Sequence, residues 1–149
     1  MDIEVEFRGI IQALEDASLD YAVVGGFAVA IWGAPRATTD IDLLIKSDDL
    51  DKVIDLAKSL GFIYDAIPMK FADGMELWRV TRLEEEQMLT LDLLLVNANL
   101  LSVWESRLTI LTEAGPVKVV SRDALLRMKA ASGRPQDLAD IARLTEIDR

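Results

Sequence analysis

Apolar positions near the start of the chain recur every three to four residues. Phe7, Ile10, Ile11 and Leu14, set in an otherwise charged segment, predict an amphipathic helix over about residues 4–18. The period then changes. Residues 21–24 form a short β-rich apolar run that ends at Gly25-Gly26, and residues 27–32 are apolar on every side until Gly33 and Pro35 stop them. This is the order strand, tight turn, buried helix. Residues 40–45 have strand character. Ser47 reads as the N-cap of a helix whose early acids Asp48, Asp49 and Asp51 suit its dipole. Leu50, Val53, Ile54, Ala57 and Leu60 give that helix one apolar face, and Gly61 ends it.

Three more strands are expected over about residues 62–67, 75–83 and 88–96, with Glu84-Glu85-Glu86 as a solvated hairpin turn between the last two. A short helix through Trp104 then leads to a hairpin of residues 108–111 and 117–120 about Gly115-Pro116. Ser121 caps a helix carrying Leu125, Leu126 and Met128, which Gly133 ends. Pro135 opens a last helix with Leu138, Ile141 and Ala142 turned inward. No repeat, linker or low-complexity segment interrupts the chain. The pattern predicts a single α/β (α+β) domain over residues 1–149, a mixed sheet flanked by helices. Residues up to about 114 form its core, and residues 115–149 add a hairpin strand and a short helical tail.

Composition narrows the chemistry. At 149 residues a single domain buries roughly 68–70% of the unfolded chain's surface, so a core forms without staples. The chain has neither Cys nor His. Disulfides, thiolate nucleophiles, imidazole acid–base work and histidine-bound metals are thereby excluded, and catalysis must rest on carboxylates, Lys, Arg and backbone amides. The net charge of −10 argues against broad nucleic-acid binding. It is uneven: 9 basic and 21 acidic side chains precede residue 115, and 7 basic and 5 acidic follow. A polyanionic ligand therefore prefers the C-terminal side. With no basic n-region at the start, and no apolar run near the ~18–20 residues of a spanning helix, the expectation is a soluble cytoplasmic protein that meets no membrane.

Side chains alternate faces along a strand, so Asp40 and Asp42 project from one side about 6.6 Å apart. Such a pair suits a hard cation; Mg²⁺ takes one or two carboxylates plus substrate phosphates, and two ions together stabilise both the attacking and the leaving oxygen of phosphoryl transfer. A third acid, Asp92, lies inside the apolar run Leu89-Thr-Leu-Asp-Leu-Leu-Leu-Val96 and needs a partner or a metal there. If its strand neighbours residues 40–45, the three acids converge, and Asp92 could accept the proton of an attacking hydroxyl. Gly25-Gly26 lets the backbone turn sharply and approach a phosphate closely at a helix N-terminus.

Each feature alone has a plainer explanation: a double glycine is usually a turn, and Asp-x-Asp usually a solvated strand end. Their combination points to metal chemistry. In haloacid-dehalogenase-like phosphatases and toprim nucleases the apolar strand precedes the acids, whereas here Ala34-Pro-Arg-Ala-Thr-Thr39 precedes them. An EF-hand fails because Leu44 and Ile45 stand where an oxygen ligand and Gly are needed. A glycosyltransferase Asp-x-Asp would leave the glycines without a role.

The segment Val23-Val-Gly-Gly-Phe-Ala28 followed by Arg36-x-Thr-Thr-Asp-Ile-Asp-Leu43 resembles the polymerase-β-like nucleotidyltransferases. Within them it is most similar to the abortive-infection, type IV toxin branch and its small relatives. The similarity runs over residues 21–45, resumes at Asp92 and returns in Met128-Lys-Ala-Ala-Ser-Gly-Arg-Pro-Gln-Asp-Leu-Ala-Asp140. It implies a nucleotidyltransferase-like sheet that moves a nucleoside monophosphate from an NTP to a hydroxyl with Mg²⁺ or Mn²⁺. Gly25 and Gly26 would hold the phosphates, Asp40 and Asp42 the metal, and Asp92 would complete the metal site and activate the acceptor. Lys129 and Asp137 would border the nucleotide. The chain departs from that branch in its shorter length and in Gly26, where many relatives have Ser.

Other residues keep two readings. Arg36 could meet a triphosphate through its fork of donors, or pair with Asp40 or Asp42. Thr38 and Thr39 suit either a turn cap or a carboxylate-orienting role near the nucleotide. Lys129 is a solvated helix lysine unless the motif places it at the site, and Asp137 and Asp140 suit a helix's first turns in any case. The acceptor is open, RNA being one candidate. An antitoxin partner or a homodimer fits the toxin resemblance. Two rivals stand beside the enzyme: a nucleotide- or partner-binding module on the same fold, and an antibiotic nucleotidyltransferase whose acidic surface attracts a cationic aminoglycoside.

Overall fold

The N-terminal helix forms where the apolar spacing requires it. In the computed structural model, which describes residues 1–113 and 115–147, α1 spans Ile3–Asp16. The Asp2 carboxylate caps it by accepting from the Glu4 N–H at 3.0 Å, and Phe7, Ile10, Ile11 and Leu14 are its buried stripe. Then follow β1 (Ala22–Val24), α2 (Gly25–Ile31), β2 (Asp40–Ile45) and α3 (Leu50–Ser59). Next come the short strands β3 (Tyr64–Asp65) and β4 (Met69–Lys70), the long hairpin β5 (Glu76–Glu84) and β6 (Gln87–Leu95), and α4 (Leu101–Glu105). A second hairpin, β7 (Leu108–Thr112) and β8 (Gly115–Val119), and the helices α5 (Arg122–Ser132) and α6 (Pro135–Ile147) complete the described fold.

The strands form one mixed sheet of order β3-β5-β6-β2-β1-β8-β7, with β4 also paired to β5. The fold is thus α/β with helices flanking a mixed sheet and a helical C-terminal end. β8 pairs in parallel with β1, so residues 115–119 belong to the same sheet as the N-terminal strands. Strand alternation gives the sheet two unlike faces. Ile41, Leu43, Ile45, Leu91 and Val80 share one face and are almost fully buried. Helices α1 and α3 cover it, and Arg82 of β5 ties them down through Glu6 of α1 at 2.6 Å and the Leu60 carbonyl at 3.3 Å. The opposite face carries Asp40, Asp42 and Asp92.

Several local expectations are corrected. Ser47 is not a helix cap; it opens a 3-10 turn over Ser47–Asp49, and no side chain caps α3. The strand expected over residues 62–67 shortens to β3, because Phe62 is buried in the core against Arg82 and only Tyr64 and Asp65 pair in register with β5, the Ala66 N–H adding one bond to the Arg79 carbonyl at 3.1 Å. Gly115-Pro116 lies inside β8, and the connection precedes it. In α6 the inward residues are Asp137, Asp140 and Leu144, while Leu138 is 56% exposed and Ala142 is exposed. Cationic partners for the two acids rotate the helix away from its apolar stripe.

Phe27 of α2 stacks on Phe7 of α1, ring centroids 4.1 Å apart and nearly parallel, which locks the helix following the glycine turn to the N-terminal helix. Phe27→Ala should destabilise the fold by about 3–5 kcal/mol. Urea unfolding followed by far-ultraviolet circular dichroism checks this value, and a loss under 1 kcal/mol contradicts the packing described.

Candidate active site

β1 and β2 run antiparallel with Val24 opposite Asp42, so the turn leaving β1 arrives beside the Asp42 carboxylate. Gly25 adopts φ +66°, and a Cβ there would lie 2.8 Å from Asp42 Cγ. Only glycine fits, on conformation and on space. A Cβ on Gly26 would meet Thr38 Oγ1 at 2.9 Å and Arg36 Nη1 at 3.4 Å, so the second glycine lets the 34–39 loop fold down onto the helix start. That loop is pinned where it enters β2. Thr38 Oγ1 donates to the Asp40 carbonyl at 3.2 Å, and Thr39 Oγ1 to Asp40 Oδ1 at 3.4 Å. Val24, at the N-cap of α2, has no side-chain acceptor for the first N–H groups of the helix.

β2 and β6 are parallel neighbours with Asp42 directly opposite Asp92 and Asp40 opposite Thr90. Residues in register on adjacent strands present their side chains to the same face, so the three acids gather there. Burial, followed by the negative charges of Asp92 and Asp40, pushes the Asp42 carboxyl up to about 7, and the Lys129 charge, with Arg79 and Arg134 also in electrostatic reach, draws it back only in part. Arg79 of β5 stands opposite Asp92 on its other side. Its Nε donates to Asp92 Oδ1 at 2.7 Å and its Nη2 to Oδ2 at 3.0 Å, a bidentate pair that satisfies the buried carboxylate.

A second charged cluster closes the opposite side. Lys129 of α5 is 5% exposed, and its Nζ lies 2.9 Å from Asp140 and 3.4 Å from Asp137. Arg36 forks onto Asp140 with Nε at 2.8 Å and Nη2 at 3.1 Å, and Gln136 adds a further donor at 3.0 Å. Burial works against the charge on Asp140, but Arg36 and Lys129 outweigh it and hold the carboxyl below its usual range. Asp137 is likewise held low against burial by Arg134 and Ser132. Arg36 therefore pairs with Asp140, and with neither Asp40 nor Asp42. Lys129 is a buried counter-ion at this site and not a solvated lysine.

The family Nucleotidyltransferase of unknown function (DUF6036) matches residues 2–148. The chain belongs to this nucleotidyltransferase family. No curated protein matches it in sequence. Its fold is similar to that of TM1012 of Thermotoga maritima, a protein proposed to be a nucleotidyltransferase, with a TM-score of 0.68 and 14% identity over 99% of this chain and 94% of that one. It is also similar to ANT(2″)-Ia, solved with adenylyl-2″-tobramycin, with a TM-score of 0.66 and 14% identity over 97% and 88% of the two chains. For JHP933 of Helicobacter pylori the TM-score is 0.60 and the identity 17%, over 93% and 62%.

In this nucleotidyltransferase the donor set suits a hard cation. Among the described residues no three acids stand close enough to cage an ion by themselves. Asp42 and Asp92, however, face each other with Arg79 balancing only Asp92, and Mg²⁺ commonly takes one or two carboxylates and completes its shell with substrate phosphates and water. Two residues that sequence reasoning missed belong to the site. Arg79 became visible only with the β5–β6 register. Arg134, whose side chain is 73% exposed, binds Asp137 at 2.8 Å and lies within electrostatic reach of Asp42. Its signal was the Gly-Arg step in the C-terminal motif.

Because ionised Asp42 is disfavoured in the fold, it costs stability above the ordinary carboxylate range and ceases to do so as pH falls through about 7 toward 4. Asp42→Asn should raise the metal-free melting temperature at pH 8, by roughly 1–3 kcal/mol of stability once partial solvent exposure is allowed for. The gain should vanish near pH 4. Thermal melts across that range check the sign, and a destabilised variant at pH 8 contradicts it.

Proposed function

We propose that the enzyme transfers a nucleoside monophosphate from an NTP to a hydroxyl acceptor with the help of Mg²⁺ or Mn²⁺. The observation that carries this proposal is the register of Asp42 and Asp92 on adjacent parallel strands, with the Gly25 backbone against Asp42. Asp40 and Asp42 would hold the metal, with Asp92 completing the set. The ion supplies positive charge to the transferring phosphoryl group and its leaving oxygen. Gly25-Gly26 brings backbone N–H groups near that position, with the uncapped start of α2 behind them. Asp92 takes the hydroxyl proton as the oxygen attacks the α-phosphorus and pyrophosphate departs. Arg134, forked onto Asp137 but with a side chain 73% exposed, is the cation best placed to turn to the outer phosphates, since Arg36 and Lys129 are held against Asp140 with little exposure.

A second reading, transfer to a cationic aminoglycoside, is favoured by the acidic N-terminal portion. The toxin–antitoxin role rests on the resemblance of the 128–140 motif, with RNA as the acceptor it would imply. Transfer from α-labelled NTPs, followed with small RNAs, tobramycin and protein as acceptors, tests the proposal. Asp42→Ala and Asp92→Asn should each lower transfer by at least about 10²-fold while circular dichroism stays native. Full activity in Asp42→Ala would place the chemistry elsewhere.

A further inference from the structure

The carboxylate face of the sheet is closed by α5 and α6 on the side of β1 and β2, but it continues in the other direction onto β5, β3 and β4. Cross-strand register fixes which side chains share it. Arg79 stands opposite Asp92, Thr81 opposite Thr90, Leu83 opposite Met88, Tyr64 opposite Thr81, and Met69 opposite Leu77. Strand alternation would ordinarily hide the apolar members. Here Leu83 is 52% exposed, Met88 62%, Tyr64 52% and Met69 40%. The other face of the same strands is covered: Val80 and Leu91 are 2% exposed beneath α1 and α3. Exposed apolar side chains therefore share the carboxylate face, with the Thr81–Thr90 pair between the Leu83–Met88 end and the buried Asp92, and an exposed apolar patch so placed marks a binding surface.

The chemistry of this surface selects its occupant. Arg79 is the one cation of the face among the described residues of these strands, and both its forked donors are engaged by Asp92. A nucleic-acid strand needs cations for its phosphates, and the face has none to spare. A free aminoglycoside presents polar, cationic groups to which Leu83 and Met88 offer nothing. The hairpin tip beside them is acidic, with Glu84, Glu85 and Glu86 all exposed. Apolar side chains flanked by Lys or Arg complement both features. The distance also fits: two strand spacings of about 4.8 Å separate β3 from β6, a span that about three extended residues cover.

We infer that the acceptor is a polypeptide segment carrying apolar and basic residues, laid over the open β3–β5–β6 face so that a Ser, Thr or Tyr hydroxyl reaches Asp92. This rests on the transferase activity proposed above and names its acceptor class. The hydroxyl oxygen forms a bond to the α-phosphorus, and the bond from that phosphorus to the oxygen bridging the β-phosphate breaks. Pyrophosphate leaves, and the hydroxyl proton passes to the Asp92 carboxylate.

The test uses the whole chain with Mg²⁺ and α-labelled NTPs in three arms. One holds synthetic peptides in which Ser, Thr or Tyr lies between Leu or Ile and Lys or Arg, one holds small RNA, and one holds tobramycin. Leu83→Glu and Met88→Glu alter exposed positions outside the carboxylate cluster, and thermal melting establishes that each folds. The expected result is labelled peptide, reduced at least tenfold in both variants, with Mg²⁺–NTP binding by calorimetry unchanged. Label confined to RNA or tobramycin overturns the inference, as does peptide labelling undiminished in folded variants. If no arm is labelled while Mg²⁺–NTP binding persists, the acceptor assignment falls and the nucleotide site stands. If Mg²⁺–NTP binding is also missing, the transferase proposal falls with it.

Discussion

The fold is organised around two facing carboxylates, of which only one has a cation forked onto it. Asp42 and Asp92 are held opposite each other because β2 and β6 are parallel and in register, and neither strand can slip without turning its apolar side chains out of the core. Ile41 and Leu43 on one strand, and Leu91 and Leu93 on the other, are all at most 2% exposed. Hydrophobic burial on the far face thus fixes two like charges on the near face. Arg79 satisfies Asp92, but Asp42 is left with burial and acidic neighbours acting against its charge. Under the proposed function, this is where a cation from outside the chain would be taken up.

The C-terminal helices serve the same centre from the other side. Lys129, Arg36, Asp137 and Asp140 form a nearly neutral buried network that ties α5, α6 and the 34–39 loop together. Removing one member of such a network strands the others, so its effect on stability exceeds that of a surface pair. The network sets the position of the loop that folds onto Gly26 and enters β2 at Asp40. Residues 104 positions apart in sequence, Arg36 and Asp140, therefore define one wall of the site.

Much of this was legible in the sequence. The glycine turn, the strand following the acids and the apolar run around Asp92 are local patterns, and each forms the expected element at the expected place. What sequence could not supply was register and helix phase. Arg79 lies in a strand that looked merely amphipathic, and its role depends on standing opposite Asp92. Leu138, Ile141 and Ala142 traced a plausible inward stripe on α6, yet Asp137 and Asp140 turn inward because Lys129 and Arg36 wait there. Apolar periodicity does not register such long-range partners. The short strand β4 escaped notice because two residues carry no periodicity.

Calorimetric titration of the wild-type chain and of Asp42→Asn with a non-hydrolysable NTP, with and without Mg²⁺, decides whether the carboxylate pair takes up a cation together with the nucleotide. Wild-type binding should require Mg²⁺ and be lost in Asp42→Asn, although that variant removes a charge that would itself repel a triphosphate. Binding of equal strength without Mg²⁺, or retained in Asp42→Asn, contradicts it.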